Sequence, residues 1–319
     1  VYLLETNAVT VTTVNALAGL QATTEVVLEA AGNIVLRPSV TGTNKVLLTA
    51  TSGNISWTAG TTGGSAVVLD ASGTIGANGS EVATAAVNLE ATAGGDIYLL
   101  EADAVAIGGA DGAYTGISTT AANGLIDLAT TAGTITVSEA FSANGAGTIT
   151  LDAGGAGSDI VSSADISSAT GALSLTAVDA ITLNAGGTLG AAGTGAITCS
   201  AGGILTQGAT VVIGNAAVTG AVTLSAATVS LGANVVTDGT PLVDIQATGA
   251  SVSRSADMLI TAGSVKLVAA TFVGTSGSPM KTTTATVAAQ ASGGGVYLLE
   301  TNGVTVTTRN APAGRAAAT

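Results

Sequence analysis

Along most of this chain an apolar residue is followed by a polar one and then by a second apolar one. Ala comes after one further residue. The units include Val26–Ala30 (VVLEA), Val67–Ala71 (VVLDA), Val87–Ala91 (VNLEA), Ile149–Ala153 (ITLDA), Leu173–Ala177 (LSLTA), Ile197–Ala201 (ITCSA) and Val222–Ala226 (VTLSA). A period of two sends alternate side chains to opposite faces of an extended backbone, so each unit predicts a short strand with one buried face. A second short strand often follows a corner of small residues. Ala31-Gly32-Asn33 leads into Ile34–Leu36, Ala132-Gly133-Thr134 into Ile135–Val137, and Ala177-Val178-Asp179-Ala180 into Ile181–Leu183.

The third residue of each unit gives a marker series: Leu28, Leu48, Leu69, Leu89, Leu128, Leu151, Leu175, Cys199, Leu224, Ile245 and Leu267. The spacings are 20, 21, 20, 39, 23, 24, 24, 25, 21 and 22 residues, and the 39 reads as two turns. Short strands and small corners at this period predict the coils of a β-solenoid, in which each strand pairs in parallel with the same strand one turn on. Leu151, Leu175, Cys199 and Leu224 then become neighbours in one interior column. Roughly 14 coils of 20–25 residues at about 4.8 Å each make a rod of roughly 65–70 Å. Hairpin signals at Asn78-Gly79 and Asn123-Gly124 do not recur at the coil period, so an antiparallel sandwich is the weaker alternative.

A longer repeat overlies this one. Val1–Thr13 (VYLLETNAVTVTT) returns as Val296–Thr308 (VYLLETNGVTVTT), with only Ala8 against Gly303 differing, and a looser copy lies at Ile97–Ile107. The offset of 295 residues makes residues 1–319 a single solenoid segment, about one period of a longer tandem-repeat protein. The last ten residues, with Arg309, Pro312 and Arg315, lose the alternation and read as a loop or tail.

Composition narrows the chemistry. Apolar residues make up 47% of the chain and charged ones 8%, with 45 glycines and 2% aromatics, so the interior must be narrow and filled by small and β-branched side chains. No apolar run is long enough for a spanning helix, and one Trp, four Tyr and two Phe cannot form the aromatic girdles of an outer-membrane barrel. No signal peptide is recognisable at Val1. One cysteine and no histidine exclude an internal disulfide framework and argue against thiolate or imidazole metal sites. The net charge is −13, and no basic residue lies between Lys45 and Arg254, a span holding 15 of the 20 acids. Such a surface disfavours nucleic acid and anionic lipid as partners and keeps long rods apart in solution.

The tandem units of Gly171–Val235 resemble the repeats of large bacterial exoproteins, the filamentous-haemagglutinin-like adhesins and related two-partner-secreted or autotransported proteins. The resemblance implies a right-handed parallel β-helix, secretion as an unfolded chain and a place on the bacterial cell surface. On that footing the chain is an extracellular structural shaft of an adhesin-like filament, with end-to-end self-association and host or neighbouring-cell contacts made by parts outside the segment. A carbohydrate-active β-helix enzyme or carbohydrate-binding module is the alternative. It needs clustered carboxylates and surface aromatics. Asp70, Glu90, Asp152 and Asp244 are expected at similar outward positions in non-adjacent coils, and Tyr2, Tyr98 and Tyr297 belong to the repeated element. Gly154–Val161 (GGAGSDIV) matches one calcium nonapeptide, a motif that works only in tandem. Thr10–Thr12 and Thr305–Thr307 suggest an ice-binding ladder, but the pair is not repeated on every coil. No catalytic, cofactor-binding or metal-binding residue is therefore nominated, and no cofactor is expected. Cys199 is expected to be a buried, reduced core residue.

Overall fold

The structure, a computed structural model, describes residues 1–15 and 17–306. Arg309, Pro312, Arg315, Thr307 and Thr308 lie outside the described residues. Those described form strands and turns with no helix, wound into a parallel β-solenoid. Successive turns pair strand on strand. Ile126–Thr130, Ile135–Val137 and Phe141–Ala143 lie under Ile149–Ala153, Ile160–Ser162 and Ile166–Ser168, which lie under Leu173–Ala177, Ile181–Leu183 and Leu189–Gly190. Each of these turns thus has three faces.

One column runs the length of the rod, buried from Ile34 to Val287, half-buried at Val9 and exposed at Val306. Its members in order are Val9, Ile34, Ile55, Ile75, Ile97, Ile126, Ile149, Leu173, Ile197, Val222, Val243, Val265, Val287 and Val306, each opposite the next in register. These fourteen aliphatic residues mark the turns, and thirteen of them are Val or Ile. Branching at Cβ restricts side-chain freedom and suits a pleated strand. The expected column Leu151, Leu175, Cys199, Leu224 is also present, continuing to Ile245 and Leu267, and every member is fully buried.

The marker series does not stay on one face. Leu28, Leu48 and Leu69 stack in order, but Leu69 then faces Ala91, and Leu89 faces Val67. The pairing has moved by two residues, which preserves the inward parity and so leaves the alternation unmarked. Leu128 sits above Leu99, which sits above Val82. The 39-residue gap is therefore a change of face within the coil, not two turns of one face.

A glycine column explains the recurrent Gly-x-Ile/Leu/Val entry into the long strands. A Cβ on Gly147 would lie 2.0 Å from the carbonyl oxygen of Gly124, one on Gly171 2.0 Å from that of Gly147, one on Gly195 2.3 Å from that of Gly171, and one on Gly220 2.5 Å from that of Gly195. The coils approach too closely at this corner for any side chain. Asn78-Gly79 does form a tight turn, with hydrogen bonds in both directions between Ala77 and Ser80, and Thr275 and Ser278 do the same.

That second turn exposes a repeat not apparent in the alternation. Thr62–Ala71, the tight turn, Val82–Ala93 and Ile97–Ile107 recur as Ile260–Ala269, the second turn, Met280–Ala291 and Val296–Val306. Both copies place a 12-residue strand beneath the repeated element in the same register. Val82, Ala83 and Thr84 face Leu99, Leu100 and Glu101; Met280, Lys281 and Thr282 face Leu298, Leu299 and Glu300.

Candidate functional site: carboxylates held by the backbone

Two features distinguish the surface and rim of the rod from its shaft: a loop that interrupts the coil, and the glutamate of the repeated element. The loop is Gly108–Gly116. Val82–Ala93 is covered on its next turn by three shorter strands, Ile97–Glu101, Val105–Ile107 and Ile117–Thr119, and the nine loop residues bulge out between the last two. Glu90 lies beneath this gap. Its Oε1 accepts from the amide of Ala110 at 3.2 Å and its Oε2 from that of Asp111 at 2.9 Å. Glu139 reaches from the following turn, accepting from Gly109 at 3.1 Å and Gly116 at 2.9 Å. Asp111 pairs with Lys45 and accepts from the Ala113 amide at 3.0 Å, and Tyr114 donates its hydroxyl to Asp70 at 3.1 Å.

Burial raises the Glu90 carboxyl above its ordinary value against the pull of the two amides, and the neighbouring Glu139 and Asp111 charges push the same way. The hydrogen bond from Lys45, aided by the Ala113 amide, holds Asp111 below the usual aspartate range.

This corrects two expectations. The acids are not all spread along the rod: Asp70 and Glu90 stand on adjacent turns, two residues out of phase, with Val68 facing Glu90 and Asp70 facing Thr92. Nor are Asp70, Glu90, Asp152 and Asp244 equivalent. Glu90 is fully buried and Asp152 is exposed. Asp244 is mostly covered and pairs with Lys266 Nζ at 2.8 Å, while Gln246 donates to it at 3.0 Å. The carboxylates at the loop tie down its backbone. A concavity lined by Ile166, Leu183 and Val211 among others is too tight to admit a water molecule. No group of three or more metal-ligating side chains assembles among those residues.

The second feature belongs to the tyrosine-leucine-leucine-glutamate element. Alternation points Leu99 and Glu101 inward and Tyr98 and Leu100 outward. Glu101 is fully buried at the face corner. It accepts from Ala86 N–H, at 3.2 Å on Oε1 and 3.1 Å on Oε2, and from Ala102 N–H at 2.9 Å. Burial raises its carboxyl, opposed by the Thr84 hydroxyl beside it and by these amides. Glu300 occupies the same seat. The Thr282 hydroxyl donates to Oε2 at 2.6 Å, and the amides of Thr284 and Thr301 donate to Oε1, both at 3.2 Å. Each seat is built from the threonine that faces the glutamate, the amide two residues beyond it and the amide following the glutamate. Glu5, in the third copy, accepts only from the Asn7 amide, at 3.2 Å, among the donors described. The signal for this site was the alternation itself, which puts a glutamate on the inner face.

The other candidates fall in place. Cys199 is fully buried, and desolvation pushes its thiol up to about 12. Asp159 of the calcium-like stretch accepts the Ala180 amide at 2.8 Å, one of several inter-coil corner bonds. Thr10 faces Val35, so no threonine ladder forms there. Tyr2 is exposed and donates to Glu25 at 2.7 Å, Tyr297 is also exposed, and Tyr98 is partly covered.

Comparison with protein-family models, with curated proteins and with solved structures finds no match.

Proposed function

We propose that this chain is a length of structural shaft in a secreted or cell-surface fibrous protein, adhesin-like and non-catalytic, that continues end to end through its repeated element. The observation that carries this reading is the unbroken column of fourteen aliphatic residues, flanked throughout by parallel backbone pairing. A ladder in which each turn is bonded to the next resists bending, and buries apolar surface at every step of length. The surface supports the same reading. Many of its carboxylates hold corners, the Gly108–Gly116 loop or ion pairs, and the likeness of Gly171–Val235 to exoprotein repeats points to the bacterial exterior. A single cysteine suits a chain exported unfolded and folded outside the cell.

The test is location and sugar chemistry together. Antibodies against the purified chain should label intact, unpermeabilised source cells, and the chain should leave acidic and neutral polysaccharides uncut. Labelling only after permeabilisation, or release of oligosaccharides, would overturn the proposal.

A further inference from the structure

Four Asn-Gly pairs occur in the chain, at Asn78, Asn123, Asn144 and Asn302, and the fold treats them differently. Asn123 sits at a coil corner, where its Oδ1 accepts from the Ala146 amide at 2.7 Å and its own N–H donates to the Asn144 carbonyl. Asn144 donates its side-chain amide to the Thr120 carbonyl at 2.6 Å and its N–H to Thr119 Oγ1 at 3.0 Å. The Asn302 side-chain amide lies between the Glu300 carboxylate and the Thr284 carbonyl. Asn78 is held by nothing comparable. It is exposed at the tip of the tight turn, and among the described residues its side chain has no hydrogen-bond partner. A Cβ on the neighbouring Gly79 would meet nothing within 4 Å. The Gly79 N–H, however, is engaged: it donates to Glu81 Oε1 at 2.8 Å.

Asn78, Gly79 and Glu81 are the parts of one reaction. An asparagine followed by glycine presents a backbone nitrogen, unshielded by any side chain, to its own side-chain carbonyl carbon. Attack is limited by the proton on that nitrogen and by the freedom of the backbone to turn the nitrogen inward. Here a carboxylate is already hydrogen-bonded to the proton. The rotation opens only the two exposed bonds between Ala77 and Ser80, each contributing about 1 kcal/mol. At Asn123 and Asn144 the same rotation breaks bonds between stacked coils.

We propose that the Ala77–Ser80 turn is a self-modifying site, in which Asn78 converts to aspartate and isoaspartate with Glu81 as the proton acceptor. Gly79 N attacks Asn78 Cγ, the N–Cγ bond forms, and the Gly79 proton passes to Glu81 Oε1. The Cγ–Nδ2 bond then breaks, and ammonia leaves with that proton. Water opens the resulting succinimide at either carbonyl, so one water enters for each ammonia lost and no other reactant is needed. The product adds a negative charge beside Glu81, on a side of the rod where the charges of Asp96, Asp127 and Glu81 already act together on Tyr98. Ile75 and Val82 flank the turn and are fully buried, which confines the change to its tip. The matching turn Thr275–Ser278 carries Ser276-Gly277 in place of Asn-Gly and cannot react in this way.

The full chain, incubated in water enriched in heavy oxygen and then digested, reports conversion at every Asn-Gly peptide by mass spectrometry. Asn78 should take up label about tenfold faster than Asn123 or Asn144, whose corners must open against more bonds. In urea the sites should react alike, because the dipeptide is the same and only the fold differs. Glu81→Gln should slow conversion at Asn78 about tenfold at pH 6 and make the rate rise with pH, since hydroxide must then take the proton. Glu81→Asp, which keeps a carboxylate, should restore part of the rate. Equal conversion at all the folded sites, a rate at Asn78 that Glu81→Gln leaves unchanged or quickens, or no conversion at Asn78 in the folded chain would overturn the proposal.

Discussion

At the scale of the residue, the acids divide by what they touch, and their behaviour should divide likewise. Burial raises the carboxyls of Glu90, Glu101 and Asp127 in the folded chain. A carboxyl raised on folding binds its proton more tightly in the native state. Its stabilising contribution is complete at low pH and is lost as pH rises through the folded value. Stability should therefore increase as pH falls from neutral toward the ordinary glutamate value of 4.5, then decrease below about 3.8 as Asp111 and Asp257, both held low by lysine partners, are protonated. Urea midpoints measured from pH 7 to pH 3 check this; a monotonic fall on acidification would contradict it. Asp244→Asn removes a shielded ion pair and should cost about 1–2 kcal/mol, whereas exposed Asp152→Asn should stay within about 0.5 kcal/mol. Leu175→Ala should cost about 3 kcal/mol, more than Cys199→Ala in the same column, because the cavity left is larger. A thiol reagent should label native Cys199 only at the rate of unfolding.

Elements show which information was local. Strand existence, inward faces and the Leu151-to-Leu224 column follow from period-two alternation, and small corners follow from Gly and Ala. The two-residue shift at Leu69 and Leu89 was not legible, because moving by two keeps every apolar residue inside. The 198-residue recurrence of Thr62–Ala71 and Ile260–Ala269 was hidden by sequences that share parity but few identities. The Gly108–Gly116 loop and its carboxylates depend on turns brought together by winding, which no local pattern records. The glycine column offers a sharp check. Gly171→Ala forces a Cβ against the Gly147 carbonyl and should cost about 3 kcal/mol, while Gly112→Ala, with open space around it, should cost no more than about 0.5 kcal/mol. Thermal melts of the two variants decide it; equal losses would mean the corner relaxes freely.

For the whole molecule, the phase of the end elements sets the geometry of any filament. From Val9 to Val306 the column climbs thirteen turns. Val304, the counterpart of Val9, lies two residues before Val306, so the two are just under thirteen turns apart, about 62 Å at 4.8 Å per turn. Joining copies through the repeated element therefore repeats the rod about every 62 Å. Cryo-electron microscopy of the concentrated full chain measures that repeat. The account predicts single-rod-wide filaments with that rise, and strands continuous across the joint. A chain that remains a monomer at high concentration, or assembles side by side or with opposed polarity, would contradict it.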